Sequence, residues 1–131
     1  MPAPPKKRPA GPAREWEPAS AEWLRVYAEV ATGLGEQRRM FGYPCSFVNG
    51  NMFAGLFQTG LFLRLSETDR ARFLKLPGAT RFEPLPGRPM REYVTAPSDM
   101  TGQPGLTAKW LSRAYAYGSS LPPKARKTRG K

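Results

Sequence analysis

Apolar residues in the first part of the chain recur with the spacing of an α-helix. The side chains that share one helical face are Trp23, Val26, Tyr27 and Val30. This spacing is typical of an amphipathic helix packed on a core. Ser20 is a suitable N-cap before it, and Gly33 follows as a stop signal. The pattern therefore predicts a first helix from Ser20 to about Thr32.

The pattern then changes to short apolar runs separated by turn residues. Asn49-Gly50 predicts a two-residue hairpin turn, because both residues tolerate positive φ. Thr59-Gly60 gives a weaker second turn signal. The turns divide this segment into runs at 40–48, 51–58 and 61–65, which predicts a three-stranded antiparallel meander.

Two-residue turns would fix the register of the meander, with Cys45 opposite Ala54 and Leu56 opposite Leu63. One face would then be apolar and covered by helices, and it would carry Tyr43, Cys45, Phe47, Met52, Ala54, Leu56, Leu63 and Leu65. The other face would carry Phe53, Phe57, Phe62 and Arg64. Three exposed phenylalanines are unusual unless something packs on them. We interpret these four residues as a candidate partner or dimer surface. Stacking on single-stranded nucleic acid and cover by another part of the chain are the alternatives.

The second half of the chain predicts two helices and two short strands. Ser66 and Asp69 have the spacing of a capping box and predict a helix to about Leu76. Short strands follow at 80–83 and 90–95, joined by a proline-rich loop, and the last helix runs from Leu106 to about Ser119. The order α-β-β-β-α-β-β-α predicts an α+β fold, with a mostly antiparallel sheet and helices packed on one face.

Charge is concentrated at the two ends of the chain. Of the 21 Lys and Arg residues, nine lie in residues 1–14 and 122–131, which contain no acid. We predict disordered tails at 1–18 and 122–131 around one folded domain at 19–121. The tails could attract phosphates without reading sequence, or only keep the protein in solution. Candidate phosphate contacts are Lys6, Lys7, Arg8, Lys124, Arg126, Lys127, Arg129 and Lys131.

The sequence offers little material for catalysis. It contains no histidine, which removes histidine-based acid–base chemistry and the usual zinc ligand sets. Cys45 is the single cysteine, and the predicted register makes it a buried, inert thiol. We therefore expect a non-enzymatic cytoplasmic protein with no cofactor, no bound metal and no membrane segment.

Four arginines form a second candidate site. Arg38 and Arg39 precede the first predicted strand, and Arg88 and Arg91 flank the proline-rich loop. If they converge, they could hold an anion or an acidic partner, because guanidinium groups bind carboxylates with two hydrogen bonds. Solvated surface residues are the alternative.

The segment Arg39-Met40-Phe41-Gly42, the turn at Asn49-Gly50 and the following apolar strands resemble the N-terminal domain of the TfoX/Sxy family. The resemblance extends over roughly residues 20–121 and includes the Trp110 helix. It implies a compact α+β domain of bacterial origin that stands alone, without the helical C-terminal domain of longer members. Those longer members are regulators of natural competence, thought to act with a transcription activator. The resemblance carries over no catalytic residue.

Three functions remain open at this point. The first is a regulatory or protein-interaction domain, with a transcription regulator or a second copy as partner. The second is non-specific nucleic-acid association through the tails. The third is a small ligand-binding or enzymatic domain that uses Cys45 or the arginines.

The tail hypothesis predicts that the full chain binds duplex DNA and that residues 19–121 do not. Binding should show no base preference and should weaken by about 0.9 log units per log unit of salt for each phosphate contact. Fluorescence anisotropy across a salt series measures both chains. Equal binding by the two chains, or none by either at physiological salt, contradicts the hypothesis.

Overall fold

The computed structural model describes residues 18–84, 87 and 90–123, and this part forms a six-stranded sheet with helices. The helices are α1 (Ala21–Val30), α2 (Glu67–Phe73), α3 (Pro104–Ser120) and a 3₁₀-helix (Ser98–Gly102). The strands are β1 (Glu36–Met40), β2 (Tyr43–Val48), β3 (Asn51–Phe57), β4 (Gly60–Arg64), β5 (Thr80–Arg81) and β6 (Tyr93–Thr95). Nearly all of the two predicted tails lies outside the described residues.

The strands form one antiparallel sheet in the order β1-β2-β3-β4-β6-β5. The predicted α+β class and mostly antiparallel sheet are therefore confirmed. The predicted first strand at 40–48 begins too early, because β2 starts only at Tyr43, and an unpredicted strand, β1, ends at Met40 before a turn at Phe41-Gly42. Both residues have positive φ, 56° and 84°, as do Asn49 and Gly50 at the predicted turn.

The predicted register is wrong at two places. Cys45 pairs with Gly55 rather than Ala54, because Phe53 is an extra residue in β3 and forms a β-bulge. Leu56 pairs with Leu61 rather than Leu63, because the next turn is made by Gln58 and Thr59. The first shift is by one residue and moves side chains to the other face of the sheet, whereas the second is by two residues and leaves the faces unchanged.

One face of the sheet packs against the helices. A row of paired residues, Ser46, Ala54, Leu63 and Val94, crosses the four central strands. The Ser46 hydroxyl contacts the Tyr27 hydroxyl of α1, so this row faces the helical layer. The neighbouring row of Cys45, Gly55, Phe62 and Thr95 points the other way. We call this second side of the sheet the aromatic face.

The first two helices begin where the sequence predicts, whereas α3 begins at Pro104, two residues before the predicted start. Ser20 accepts a hydrogen bond from the Trp23 amide at 3.1 Å, and Ser66 accepts one from the Asp69 amide at 3.3 Å. Each cap satisfies a backbone donor that has no partner inside its helix. Arg113 of α3 then forms an ion pair with Asp69 at 3.0 Å, which ties α3 to the start of α2.

The contact of α3 with the sheet depends on a glycine near the end of the helix. A Cβ atom on Gly118 would lie 2.9 Å from Val48 Cγ1 and 3.1 Å from Phe53 Cβ. These distances are shorter than ordinary van der Waals contacts, so a side chain there would push α3 away from β2 and β3. Gly105 lies in the first turn of the same helix, and a Cβ atom added there would have no other atom within 4 Å.

Replacing Gly118 with alanine should therefore destabilise the domain, by about 1–3 kcal/mol for overpacking. Gly105→Ala is the matched control in the same helix, and it should be neutral or stabilising by up to about 1 kcal/mol. Urea unfolding followed by circular dichroism measures both variants. A Gly118→Ala protein as stable as Gly105→Ala would show that this contact does not limit the packing of α3.

Candidate functional site

The predicted exposed phenylalanine surface does not exist, because the chain itself buries all three rings. Phe53, Phe57 and Phe62 are 0%, 7% and 5% exposed. The bulge turns Phe53 towards α3, where it packs edge-on against Tyr115 with ring centroids 5.4 Å apart. Phe57 and Phe62 lie on the aromatic face as predicted, but Phe82 covers them. The expectation that they are exposed was therefore wrong.

Phe82 is the centre of an aromatic cluster on this face. Its ring stacks on Phe62 with centroids 4.5 Å apart and meets Phe57 edge-on at 5.5 Å. Tyr43 contacts Phe57 from one side, and Tyr93 contacts Phe62 from the other. This loop residue therefore shields the aromatic face in place of a helix.

Arg64 has a structural partner. It forms a 2.7 Å ion pair with Glu92, and its guanidinium carbon lies 5.7 Å from the centre of the Tyr93 ring. Partial burial tends to raise the pKa of the Glu92 carboxyl. Hydrogen bonds from Arg64 and Tyr117 together have a larger effect, so the pKa of this carboxyl is lowered. Arg64 thus joins β4 to the start of β6 and is only 23% exposed.

Cys45 is buried, as predicted from the sequence. Burial raises the pKa of its thiol, and the positive charge of Arg38 offsets only part of this effect. Since the thiolate is the reactive form, this environment disfavours nucleophilic chemistry at neutral pH.

The structure brings together two of the four candidate arginines. Arg38 and Arg39 are neighbours on β1, and both line the same groove. Arg38 pairs with Glu36 at 2.9 Å and lies over the Phe47 ring at 4.3 Å, whereas Arg39 donates a 2.7 Å hydrogen bond to the Gly42 carbonyl. Arg91 is exposed and does not line this groove. Arg88 lies outside the described residues, as do the candidate phosphate contacts of the two tails.

The groove runs between α1 and the β1–β2 hairpin and encloses about 670 Å³. This volume is within the usual range for binding sites. Leu24 forms an apolar part of the wall and is 39% exposed, although it is a large aliphatic side chain. The residues around the groove are Leu24, Tyr27, Ala28, Ala31, Thr32, Gln37, Arg38, Arg39 and Pro44.

A chain of hydrogen bonds fixes the floor of the groove. The Tyr27 hydroxyl contacts the Ser46 hydroxyl, which donates a 2.8 Å hydrogen bond to the Gln37 side chain. The Gln37 amide in turn donates to the carbonyls of Ala31 and Leu34, at 3.1 Å and 2.9 Å. These bonds attach β1 to the end of α1, so the two walls of the groove have a fixed separation.

Sequence reasoning missed the groove because it placed no strand at residues 36–40. The sequence signal for this strand is weak, because residues 36–39 are all polar or charged and only Gly42 marks the turn. A phenylalanine at the first turn position obscured it, since that position prefers Asn, Asp or Gly.

Two further features bear on the class of site. Among the described residues, no group of three or more Cys, Asp or Glu side chains is placed to hold a metal ion. Within the same part of the chain, every helix is too short or too polar to cross a membrane.

Fold and site together define a small α+β domain with a groove between its first helix and the edge of its sheet. The chain belongs to the TfoX N-terminal domain family, which matches residues 29–117. The match begins within α1 and ends within α3, so it includes the whole sheet and one wall of the groove. Comparisons with curated proteins and with solved structures gave no significant match.

Burial raises the pKa of Tyr27 above its ordinary value, and the hydrogen bond with Ser46 offsets only part of this effect. Below the unfolded pKa of about 10 the phenol is neutral in both states, whereas above it only the unfolded chain ionises readily. The stability that Tyr27 contributes should therefore be lost as the pH rises above about 10.

Tyr27→Phe should cost about 1 kcal/mol at neutral pH, from the lost hydrogen bond, and should reduce the fall in stability at alkaline pH. Urea unfolding at about pH 8 and about pH 11 tests this, with Tyr115→Phe as a control at a half-buried tyrosine. An alkaline loss of stability as steep in Tyr27→Phe as in the wild type would contradict this assignment.

Proposed function

We infer that this protein is a non-enzymatic regulatory domain that binds a protein partner through the groove between α1 and the β1–β2 hairpin. The observation that supports it best is the composition of the groove, with an exposed apolar wall at Leu24 beside Arg38 and Arg39. Protein-binding surfaces commonly combine a desolvated apolar centre with a charged rim, and arginine is enriched in them.

The chemistry of the groove favours an acidic, amphipathic peptide segment as the occupant. Both charged side chains in its described lining are arginines. Arg38 already forms an ion pair with Glu36. Arg39 donates a hydrogen bond to the neutral Gly42 carbonyl, and this bond does not neutralise the positive charge of Arg39. Carboxylates of a partner could pair with the arginines while apolar side chains lie against Leu24 and Pro44.

A regulatory role agrees with the family resemblance, because the longer family members are regulators of natural competence, thought to act with a transcription activator. The buried, weakly acidic thiol of Cys45 gives no support to a nucleophilic enzyme. As part of the same proposal, we place the protein in the cytoplasm, where its single cysteine would remain reduced.

Selection of binders from a random peptide library against the full chain tests the groove. Selected peptides should combine acidic and apolar residues, because these match the rim and the wall. Arg39→Glu should weaken their binding by about tenfold, equal to about 1.4 kcal/mol. Leu24→Glu should weaken it further, because the apolar wall is lost.

Lys109→Glu is the matched control, since this lysine is exposed on α3 and does not line the groove. It makes the same change of charge as Arg39→Glu and should leave binding almost unchanged. Peptides without acidic preference, or peptides that bind all three variants equally, would overturn the proposal. Circular dichroism confirms that each variant is folded.

A further inference from the structure

The aromatic face contains a cavity that the proposed function does not use. It has a volume of about 180 Å³ and lies between the β1–β2 hairpin, the aromatic cluster and the loop that carries Phe82. Eleven described residues line it, and none of them has a charged side chain. The groove bound by α1 is a separate feature, because the two share no lining residue.

The lining determines what the cavity can hold. Phe57, Phe62 and Phe82 present aromatic rings, and Tyr43 and Cys45 close the side formed by β2. An apolar cavity of about 150 Å³ can stay dry and bind benzene or xenon, because water finds no polar partner there. A ligand of similar size would restore the dispersion contacts that the empty space lacks.

The lining is also adaptable. Met40, Met52 and Met90 come from three different parts of the chain and all face the cavity. Methionine has a flexible, polarisable side chain that adjusts to the shape of a bound group. The wall can therefore fit ligands that differ somewhat in shape.

The mouth of the cavity lies at the hairpin turn. Phe41 lines the cavity and is nevertheless 73% exposed, so its ring stands at the boundary with solvent. Its φ of 56° is unfavourable for a bulky side chain. The fold holds an aromatic ring at the cavity entrance at the cost of backbone strain, which is a common feature of binding sites.

We propose that this cavity is a binding site for one small uncharged apolar group, the size of a single aromatic ring or a short alkyl chain. This apolar group is part of a free small molecule or of a side chain on a peptide, and the cavity would recognise it by the same apolar contacts in both cases. The ligand needs no charge and no hydrogen-bonding group, because the described lining has no charged side chain and consists mainly of apolar side chains.

Methionine methyl groups provide a direct test on the full chain. With ¹³C-methyl methionine, toluene should shift the NMR signals of Met40, Met52 and Met90. Met100 is an internal control, since it is buried in the 3₁₀-helix that packs against α1 and α3, does not line the cavity and should not shift. Benzoate carries the same ring with a charge and should produce no shift at any of these positions.

Changes at Cys45 test whether the ligand occupies this cavity. Cys45→Leu fills part of the space and should abolish the shifts, whereas Cys45→Ala enlarges it and should keep them. N-acetylphenylalaninamide as a second probe shows whether a ring on a peptide chain also enters. The proposal is overturned if toluene shifts no cavity methyl, if it shifts Met100 equally, or if folded Cys45→Leu binds as well as the wild type. If Cys45→Leu does not fold, the comparison of Met100 with the three cavity methyls in the wild type still decides.

Discussion

The β-bulge at Phe53 determines which side chains of β3 lie on each face of the sheet. Phe53 has no partner on β2, because Ser46 pairs with Ala54 and Phe47 pairs with Met52. A strand normally alternates its side chains between the two faces, and one extra residue reverses that alternation beyond it. Phe53 can therefore join Ala54 on the helical side, where α3 approaches closely because Gly118 has no side chain. The same reversal sends Phe57 to the aromatic face.

Both faces of this sheet need apolar cover as a result. The helices bury one face, whereas the other carries Tyr43, Phe57, Phe62 and Tyr93, and no helix in the described part of the chain covers it. Phe82 supplies the cover by stacking on Phe62, and Gly55 leaves room for the Phe62 ring, whose Cζ atom lies 2.7 Å from the position that a Cβ atom of residue 55 would take. A loop covers such a face less completely than a helix does. The 180 Å³ cavity is the space that remains between them.

The sequence predicted those features that depend on local chemistry. The caps at Ser20 and Ser66, the turn at Asn49-Gly50, the burial of Cys45 and the fold class all follow from short-range rules, and the structure confirms them. The TfoX resemblance was also visible in the sequence, and the family match confirms it.

The features that the sequence did not predict depend on contacts between distant parts of the chain. Phe53 is accommodated as a bulge by α3, which lies more than fifty residues further along the chain. Phe41 has a positive φ, which a bulky residue rarely adopts, so the sequence contained no clear sign of a turn there. The predicted sheet therefore starts at residue 40 rather than at Glu36. The candidate phenylalanine surface failed for the same reason, since its cover comes from Phe82. The sequence could not show whether the four candidate arginines lie close together. Among the described residues, only Arg38 and Arg39 line the same groove.

The β1–β2 hairpin contributes residues to both candidate sites. Arg39 lines the groove beside α1, whereas Met40, the next residue, lines the cavity on the opposite face. The two sites therefore share a two-stranded element that is attached to the rest of the sheet only through β2. Both sites are bounded by the same short element, and any coupling between ligands in the two sites would be reciprocal in free energy. The hydrogen bond from Arg39 to the Gly42 carbonyl stiffens the turn that joins the two sites. The turn that carries Phe41 and Gly42 is therefore a structural link between the side chain that faces the groove and the one that faces the cavity.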